Sequence, residues 1–131
     1  MSAWSPEELA AIVSPDELEI ATRRRDGTLR SPVTIWHVRV GDELCVRSVN
    51  GPSAAWYRGA QTRRQARVTA GGVERDVELV DADHGLNDGI DAEYRAKYRR
   101  YSENTLQRIT SPQARSTTLK LVCATSDQPR R

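Results

Sequence analysis

Three predicted strands joined by two tight turns occupy residues 18–60 and constrain the fold more than any other part of the chain. The turns are Asp26-Gly27 and Gly41-Asp42, pairs that supply the positive φ angle a tight hairpin needs between β-branched runs. Because a hairpin joins antiparallel neighbours, the three strands form a meander. The pattern therefore indicates an antiparallel sheet and not a parallel α/β sheet, in which helices alternate with strands.

The length and composition are those of a single globular domain. The chain has 131 residues, and single domains commonly contain ~100–150 residues. It contains no Phe, three Trp and four Tyr, so the core must consist mainly of Val, Leu, Ile and Ala. We expect one domain over residues 1–125 and a disordered polar tail over residues 126–131.

The net charge is only +2, although arginine is abundant and Lys97 and Lys120 are the only lysines. A weak overall charge argues against nucleic acid as a partner. The arginine run 23–25, with the pair 63–64, leaves nucleic-acid binding open as a minor alternative, which would show a steep salt dependence.

The sequence lacks the patterns typical of metal sites, signal peptides and membrane-spanning helices. Cys45 and Cys123 lie in separate apolar strand patterns without the spacing of metal ligands, so we expect no metal site. The N-terminus lacks a signal-peptide pattern, and no apolar run approaches the ~18 residues of a membrane-spanning helix. We therefore predict a cytoplasmic protein with reduced thiols and no membrane association.

The remaining pattern completes a small barrel. Strands are predicted over 18–24, 33–40, 44–49, 66–70, 73–80 and 116–124. Helices are predicted over 5–13 and 91–100, with helical turns at 53–60 and 102–109 and a basic loop at 62–65. Ile90, Tyr94, Tyr98 and Tyr101 recur at helical spacing, which predicts a core-facing stripe. We predict a mainly β (α+β) fold, a barrel of about six antiparallel strands with two or three helices.

The central meander also resembles a known group of proteins. The resemblance is carried by Arg30, Pro32, Gly41-Asp42, Val46, Ser48, Gly51 and Trp56-Tyr57. This spacing resembles that of the flavin- and deazaflavin-binding split β-barrels. More closely, residues 24–58, with 90–94 and Lys97-Tyr98, resemble the uncharacterised DUF2255 family, which is assigned to the same group. The resemblance implies a split β-barrel, and it implies a homodimer with cofactor sites near the subunit interface.

The resemblance further implies where a cofactor, FMN or a deazaflavin, would bind. The cofactor-binding residues it implies are Arg30, Arg47, Ser48, Gly51, Trp56 and Arg58. Arginine suits a phosphate because its planar fork binds two oxygens at once, and a tryptophan can stack on a ring. We expect a substrate pocket at Trp36, His37 and Tyr57. The predicted function is a flavin- or deazaflavin-binding oxidoreductase of unknown substrate.

Each of these assignments has a structural alternative. Trp56 could close one end of the barrel, Arg58 could form an ion pair, and mid-strand His37 could be a hydrogen-bonded core residue. His84 has no assigned role. The alternative function is a cofactor-free, small-molecule-binding protein that has kept the barrel. The acidic Asp26 turn favours it, because that carboxylate would repel a nearby phosphate.

Overall fold

A closed barrel of six antiparallel strands forms the centre of the protein. The computed structural model describes residues 4–123, so the predicted tail at 126–131 and both ends of the predicted domain lie outside the described residues. The strands are β1 (Glu17–Thr22), β2 (Val33–Val40), β3 (Glu43–Val46), β4 (Gln65–Ala70), β5 (Val73–Asp81) and β6 (Leu119–Cys123). They close in the order β1-β2-β3-β6-β5-β4. The predicted fold class is confirmed.

Short helices surround this barrel. They are α1 (Pro6–Val13), α2 (Ala55–Arg63), α3 (Asn87–Lys97), α4 (Glu103–Ile109) and α5 (Pro112–Arg115), with single 3-10 turns at Gly51–Ser53 and His84–Leu86. The described chain thus has more helical segments than the two or three we expected. Ser102 and Ser111 fix the start of two of them, because each hydroxyl accepts from a backbone N–H in the first turn of a short helix.

Two of the predicted boundaries are wrong for identifiable reasons. The predicted basic loop at 62–65 does not exist: Thr62 and Arg63 complete α2, and Gln65 begins β4. Only Arg64 separates these elements, in the left-handed conformation with φ 63°. The third strand ends at Val46, earlier than predicted, because the next N–H groups leave the ladder and that of Ser48 donates to the Thr117 hydroxyl.

Helix α1 begins as its sequence predicts. The Ser5 hydroxyl accepts from the Glu8 N–H at 3.1 Å, and the Glu8 carboxylate accepts from the Ser5 N–H at 3.4 Å. This capping box satisfies two donors that would otherwise lack partners at the helix end. Leu9 and Ile12 are buried against the barrel.

The apolar residues form two clusters on opposite sides of the sheet. Leu44 and Val46 point into the barrel, whereas Cys45, between them, packs outside it under α3. This is the period-two alternation of a strand. The tyrosine stripe is confirmed, because Ile90, Tyr94 and Tyr98 are fully buried in the outer cluster and residue 101 packs at its edge. Among residues 4–123, no helix is long and apolar enough to cross a bilayer.

Candidate functional site

A cavity of about 280 Å³ opens where β2 and the segment after β3 meet α2 and α4. Its walls come from residues 33–36, from 47–50, from Ala54 and Trp56, and from Thr105, Arg108 and Ile109 of α4. We call it the tryptophan cavity, because Trp36 and Trp56 both line it. Typical small-molecule pockets have volumes of ~300–1,000 Å³, so this one can hold part of a cofactor-sized ligand.

The structure brings four of the nine predicted site residues together in this cavity. They are Trp36, Arg47, Ser48 and Trp56. Their side chains come from β2, from the segment after β3 and from α2, which the meander places side by side. The central stretch of sequence therefore does supply most of one wall.

Aromatic contacts hold both tryptophans in place. The ring of Trp36 stacks on Tyr98 with centroids 3.9 Å apart and an interplanar angle of 5°. Tyr101 contacts the same indole edge-on at 4.8 Å. Trp56 meets Tyr57 edge-on at 6.0 Å. Because stacked and edge-on pairs favour fixed ring orientations, these indoles form preorganised apolar walls.

Arg47 lines the cavity, but its guanidinium is fully engaged within the protein. Its side chain is 0% exposed. The Nε–H donates to the Thr118 hydroxyl at 2.9 Å, and Nη1 donates to the Asp91 carboxylate at 2.5 Å and to the Ile109 carbonyl at 3.1 Å. Nη2 donates to both oxygens of Asn87. An arginine has five N–H donors, so none is left for a ligand anion.

This network ties β3 to α3 and to the segment before β6. Asp91, the carboxylate partner of Arg47, also accepts from Arg115 at 2.9 Å, and Arg115 in turn contacts Asp88 at 2.5 Å. Hydrogen bonds to these carboxylates raise the pKa of Arg115. The arrangement alternates two arginines with two aspartates, and its evident effect is structural.

Ser48 and Gly51 shape the turn that follows β3. The Ser48 hydroxyl donates to the Gly51 carbonyl at 2.8 Å. Gly51 has φ 81°, in the left-handed region that side chains rarely adopt. A Cβ there would lie 2.3 Å from Cγ of Gln113. Gly51 therefore permits a close approach, and the group that approaches it is a glutamine side chain.

Arg30 and Arg58 are not among the residues that line the cavity. Arg30 Nη1 donates to the Arg23 carbonyl at 2.8 Å and lies near the hydroxyl of Thr22. Arg58 is exposed on α2, and within residues 4–123 its guanidinium has no polar contact. The ion pair that we considered for Arg58 is thus not formed by the described residues.

His37 and Tyr57 also lie elsewhere. His37 is fully buried, and its Nε2–H donates to the Ile12 carbonyl at 2.6 Å. Its Nδ1 is a buried atom without a partner among the described residues. Burial, reinforced by nearby Lys97, lowers the pKa of His37 to about 4. Tyr57 packs against the barrel interior, and His84 is exposed in a 3-10 turn.

Helix α4 supplies three of the cavity residues that we missed. Thr105, Arg108 and Ile109 line the cavity, and Nη2 of Arg108 donates to Oδ1 of Asn50 across its edge at 2.7 Å. The sequence predicts a helical turn here. It also gives a weak signal of a polar helix face, since Arg108 follows polar Asn104 at i+4 and the two lie on the same side of a helix. Nothing local links residue 108 to residue 50, so sequence reasoning did not place α4 at the site.

Metal ligation has no support in the described part of the chain. Residues 4–123 contain no group of three His, Cys, Asp or Glu side chains able to hold a metal ion. Burial, with the Glu43 carboxylate nearby, raises the pKa of the Cys45 thiol to about 11, so this thiol is protonated at neutral pH. Protonated thiols are poor metal ligands and poor nucleophiles.

Solved structures with the same fold include several split-barrel proteins. HutZ, the heme storage protein from Vibrio cholerae, is 13% identical with a TM-score of 0.66, covering 92% of this chain and 89% of that one. An F420-H2-dependent reductase is 14% identical with a TM-score of 0.60, covering 82% and 93%. A conserved hypothetical protein from Mycobacterium tuberculosis is 13% identical with a TM-score of 0.56, covering 94% and 81%. At these identities the similarity shows the fold alone.

A search of curated proteins gives no match to this sequence. One family model does match: DUF2255, described as an uncharacterized protein conserved in bacteria, over residues 8–121. The match runs from α1 into β6 and so includes the barrel and every wall of the cavity. The resemblance identified in the sequence is therefore confirmed, and the chain belongs to the DUF2255 family of uncharacterized bacterial proteins.

Proposed function

We propose that this protein binds FMN or a deazaflavin, with the ring system in the tryptophan cavity, and that it is an oxidoreductase. One observation carries the proposal: a preorganised aromatic cavity, lined by Trp36 and Trp56, on a split barrel. The known neighbours of this fold include a reductase that depends on F420-H2. The bound cofactor would supply hydride transfer, and the protein would supply its position and its electrostatic surroundings.

The residues present fit the ring of such a cofactor. A flat heteroaromatic ring needs apolar walls with a few polar groups at its edge, and this cavity offers two indoles beside Thr34, Asn50 and Thr105. Ser48 would hold the turn along the ring edge through its bond to Gly51. Arg47 would act indirectly, by holding the cavity wall.

The residues proposed for the phosphate and the substrate fit less directly. Arg30 and Arg58 would contact a ligand only if it extended beyond Trp56 along α2, since neither lines the cavity. Trp36 lines the cavity and would contact a substrate held there. A substrate role for His37 or Tyr57 would require a second binding surface, because both lie outside the cavity.

We also propose that the protein is a cytoplasmic homodimer. A cavity of about 280 Å³ encloses only part of a flavin-sized molecule, so a second copy of the chain would have to cover the rest. Val33 lies at the cavity edge and is 39% exposed, which makes it a suitable apolar contact for that copy. Light scattering at several protein concentrations tests this part of the proposal.

A specific observation keeps the cofactor-free alternative in place. The donors of Arg47 are all used within the protein, and Arg30 donates to a backbone carbonyl. The turn before β2 also carries the Asp26 carboxylate, and its hydrogen bonds with Thr28 lower the pKa of Asp26 and keep it charged. A small neutral aromatic molecule would need no phosphate-binding residue at all.

Calorimetric titration with FMN and with a deazaflavin tests the proposal. We expect binding to the wild type and at least a tenfold loss of affinity in Trp56→Leu, because an aromatic side chain contributes both contact area and ~0.5–1.5 kcal/mol of ring-specific interaction. Trp4→Leu is the matched control, since this tryptophan does not line the cavity. Absence of binding by folded protein at high micromolar concentration would contradict the proposal and favour the cofactor-free alternative.

A further inference from the structure

A second cavity, of about 320 Å³, adjoins the tryptophan cavity. Both are lined by Val49, Asn50 and Arg108, which therefore stand between them. The other residues of the second cavity are all polar: Asn104, Gln107, Ser111 and Gln113. We call it the amide cavity. An apolar aromatic chamber thus continues into a hydrogen-bonding one.

Neither cavity is lined by an aspartate or a glutamate. The lining contains two cations, Arg47 and Arg108, and the first has all its donors engaged. Arg108 is exposed, and within residues 4–123 its guanidinium has one polar contact, the neutral amide oxygen of Asn50. Arg47 is also neutralised by its ion pair with Asp91, so Arg108 is the lining cation whose guanidinium has donors to spare.

The exposed face of α4 adds further donors at the same place. Asn104, Gln107 and Arg108 are related by i, i+3 and i+4, so they lie on one side of the helix. The side chains of Asn104 and Gln107 have no hydrogen bond within the described part of the chain. By contrast, Arg64 and Arg95 each form an ion pair with a carboxylate.

We propose that the two cavities form one elongated site in which Arg108 binds an anionic group, a phosphate or a carboxylate, on the arm of a ligand whose aromatic part occupies the tryptophan cavity. Arg108 would exchange its bond to the neutral Asn50 oxygen for a stronger charge-assisted pair. The inference rests on the proposed function only for the identity of the aromatic part. It places the anion on α4 and away from Arg30 and Arg58.

Riboflavin and FMN provide the first test, because they share a ring and differ by one phosphate. In the wild type we expect FMN to bind about tenfold to a hundredfold more tightly than riboflavin, the range for a charge-assisted contact. This difference should disappear in Arg108→Gln and return in part in Arg108→Lys, whose point charge replaces the fork incompletely. Arg58→Gln tests the competing position on α2, and Arg99→Gln, an exposed arginine outside both cavities, controls for net charge.

Anions without a ring separate this inference from the cofactor proposal. Pyrophosphate and glutarate should raise the melting temperature of the wild type and of Arg99→Gln but not of Arg108→Gln. The compound that gives the larger increase shows whether the ligand arm carries a phosphate or a carboxylate. If flavins fail to bind but this pattern holds, the cofactor proposal fails and the anion site stands. The inference is overturned if Arg108→Gln binds FMN and both anions as the wild type does, if Arg58→Gln shows the loss instead, or if the wild type binds none of them.

Discussion

Arg47 and Arg108 line the same cavity and differ in almost every other respect. The side chain of Arg47 is 0% exposed, and its donors reach Thr118, Asp91 and Asn87, among others. Arg108 is exposed and donates to one neutral oxygen. A guanidinium that leaves water must find partners for all its N–H groups, whereas one at the surface can leave them to solvent. The buried arginine is therefore committed to the fold, and the exposed one is available to a ligand.

The same contrast separates helix α3, which packs against β2, from helix α4, which lines the cavity. Helix α3 is anchored by polar bonds: Tyr98 donates its hydroxyl proton to the Asp16 carbonyl at 2.6 Å, and Lys97 Nζ donates to the His37 carbonyl at 2.8 Å. Helix α4 contributes Leu106 and Ile109 to the core but keeps its polar side outside. Helix α3 is thus held by hydrogen bonds to backbone carbonyls, whereas the polar side of α4 is left to solvent.

The largest effect on stability should come from removing the buried arginine, Arg47. Arg47→Ala removes one partner of a buried ion pair and leaves the Asp91 carboxylate less compensated, which typically costs about 3–5 kcal/mol. Urea unfolding measures the loss in free energy of unfolding. Arg108→Ala is the matched control and should change it by no more than about 0.5 kcal/mol. Equal effects in the two variants would contradict the division of roles.

A second prediction uses Nδ1 of His37, a buried polar atom that, unlike those of Arg47, has no partner among residues 4–123. The pKa of His37 is lowered from 6.5 to about 4, so between these pH values the unfolded chain binds a proton that the folded protein does not. Stability is therefore unaffected by His37 above pH 6.5 and is lost as the pH falls toward 4. The difference between these two pKa values corresponds to a loss of about 3 kcal/mol in the free energy of unfolding.

Unfolding by urea at several pH values between 4 and 7.5 measures this loss. His37→Gln, which does not titrate and can still donate to the Ile12 carbonyl, should show a clearly flatter dependence in that range. Carboxylates such as Glu8, whose pKa is lowered by Arg75, add their own loss at the acidic end in both proteins. Identical pH profiles would mean that His37 is not the group responsible.

The smallest effect should come from Arg58, a second exposed arginine that can be compared with Arg108. Arg58→Ala should change the free energy of unfolding by less than about 0.5 kcal/mol, because the described residues offer its side chain no ion pair. Its affinity for FMN should also match that of the wild type if the anion binds Arg108. Thermal unfolding and calorimetry on the same variant check both statements. A tenfold loss of affinity would indicate that the anion binds at α2 and not at Arg108.

Much of the fold could be predicted because its signals are local. The hairpin pair Gly41-Asp42 lies at the observed turn between β2 and β3, and β2 has the predicted bounds 33–40. The capping box of Ser5 and Glu8 and the tyrosine stripe follow from spacings of three and four residues. The end of β3 was misplaced because a distant side chain intervenes there: the Thr117 hydroxyl accepts from the Ser48 N–H.

The site could be predicted only in part, for the same physical reason. Trp36, Ser48 and Trp56 line one cavity, since the meander itself brings their segments together, and their roles toward a ligand stay predictions. Sequence could not show that Arg47 is saturated, because its partners lie 40 to 71 residues away. Nor could it show that Arg108 faces Asn50 across 58 residues.

The amino-acid sequence by itself determined the strands, the turns and the buried faces, because hydrophobic periodicity and turn chemistry act over a few residues. It also determined the inventory of arginines and indoles from which a site could be built. Only the tertiary structure decided which arginine is enclosed and which remains available, because closure of the barrel sets the desolvation and the hydrogen-bond partners of each guanidinium. Those partners come from helices far along the chain, and no local pattern encodes them.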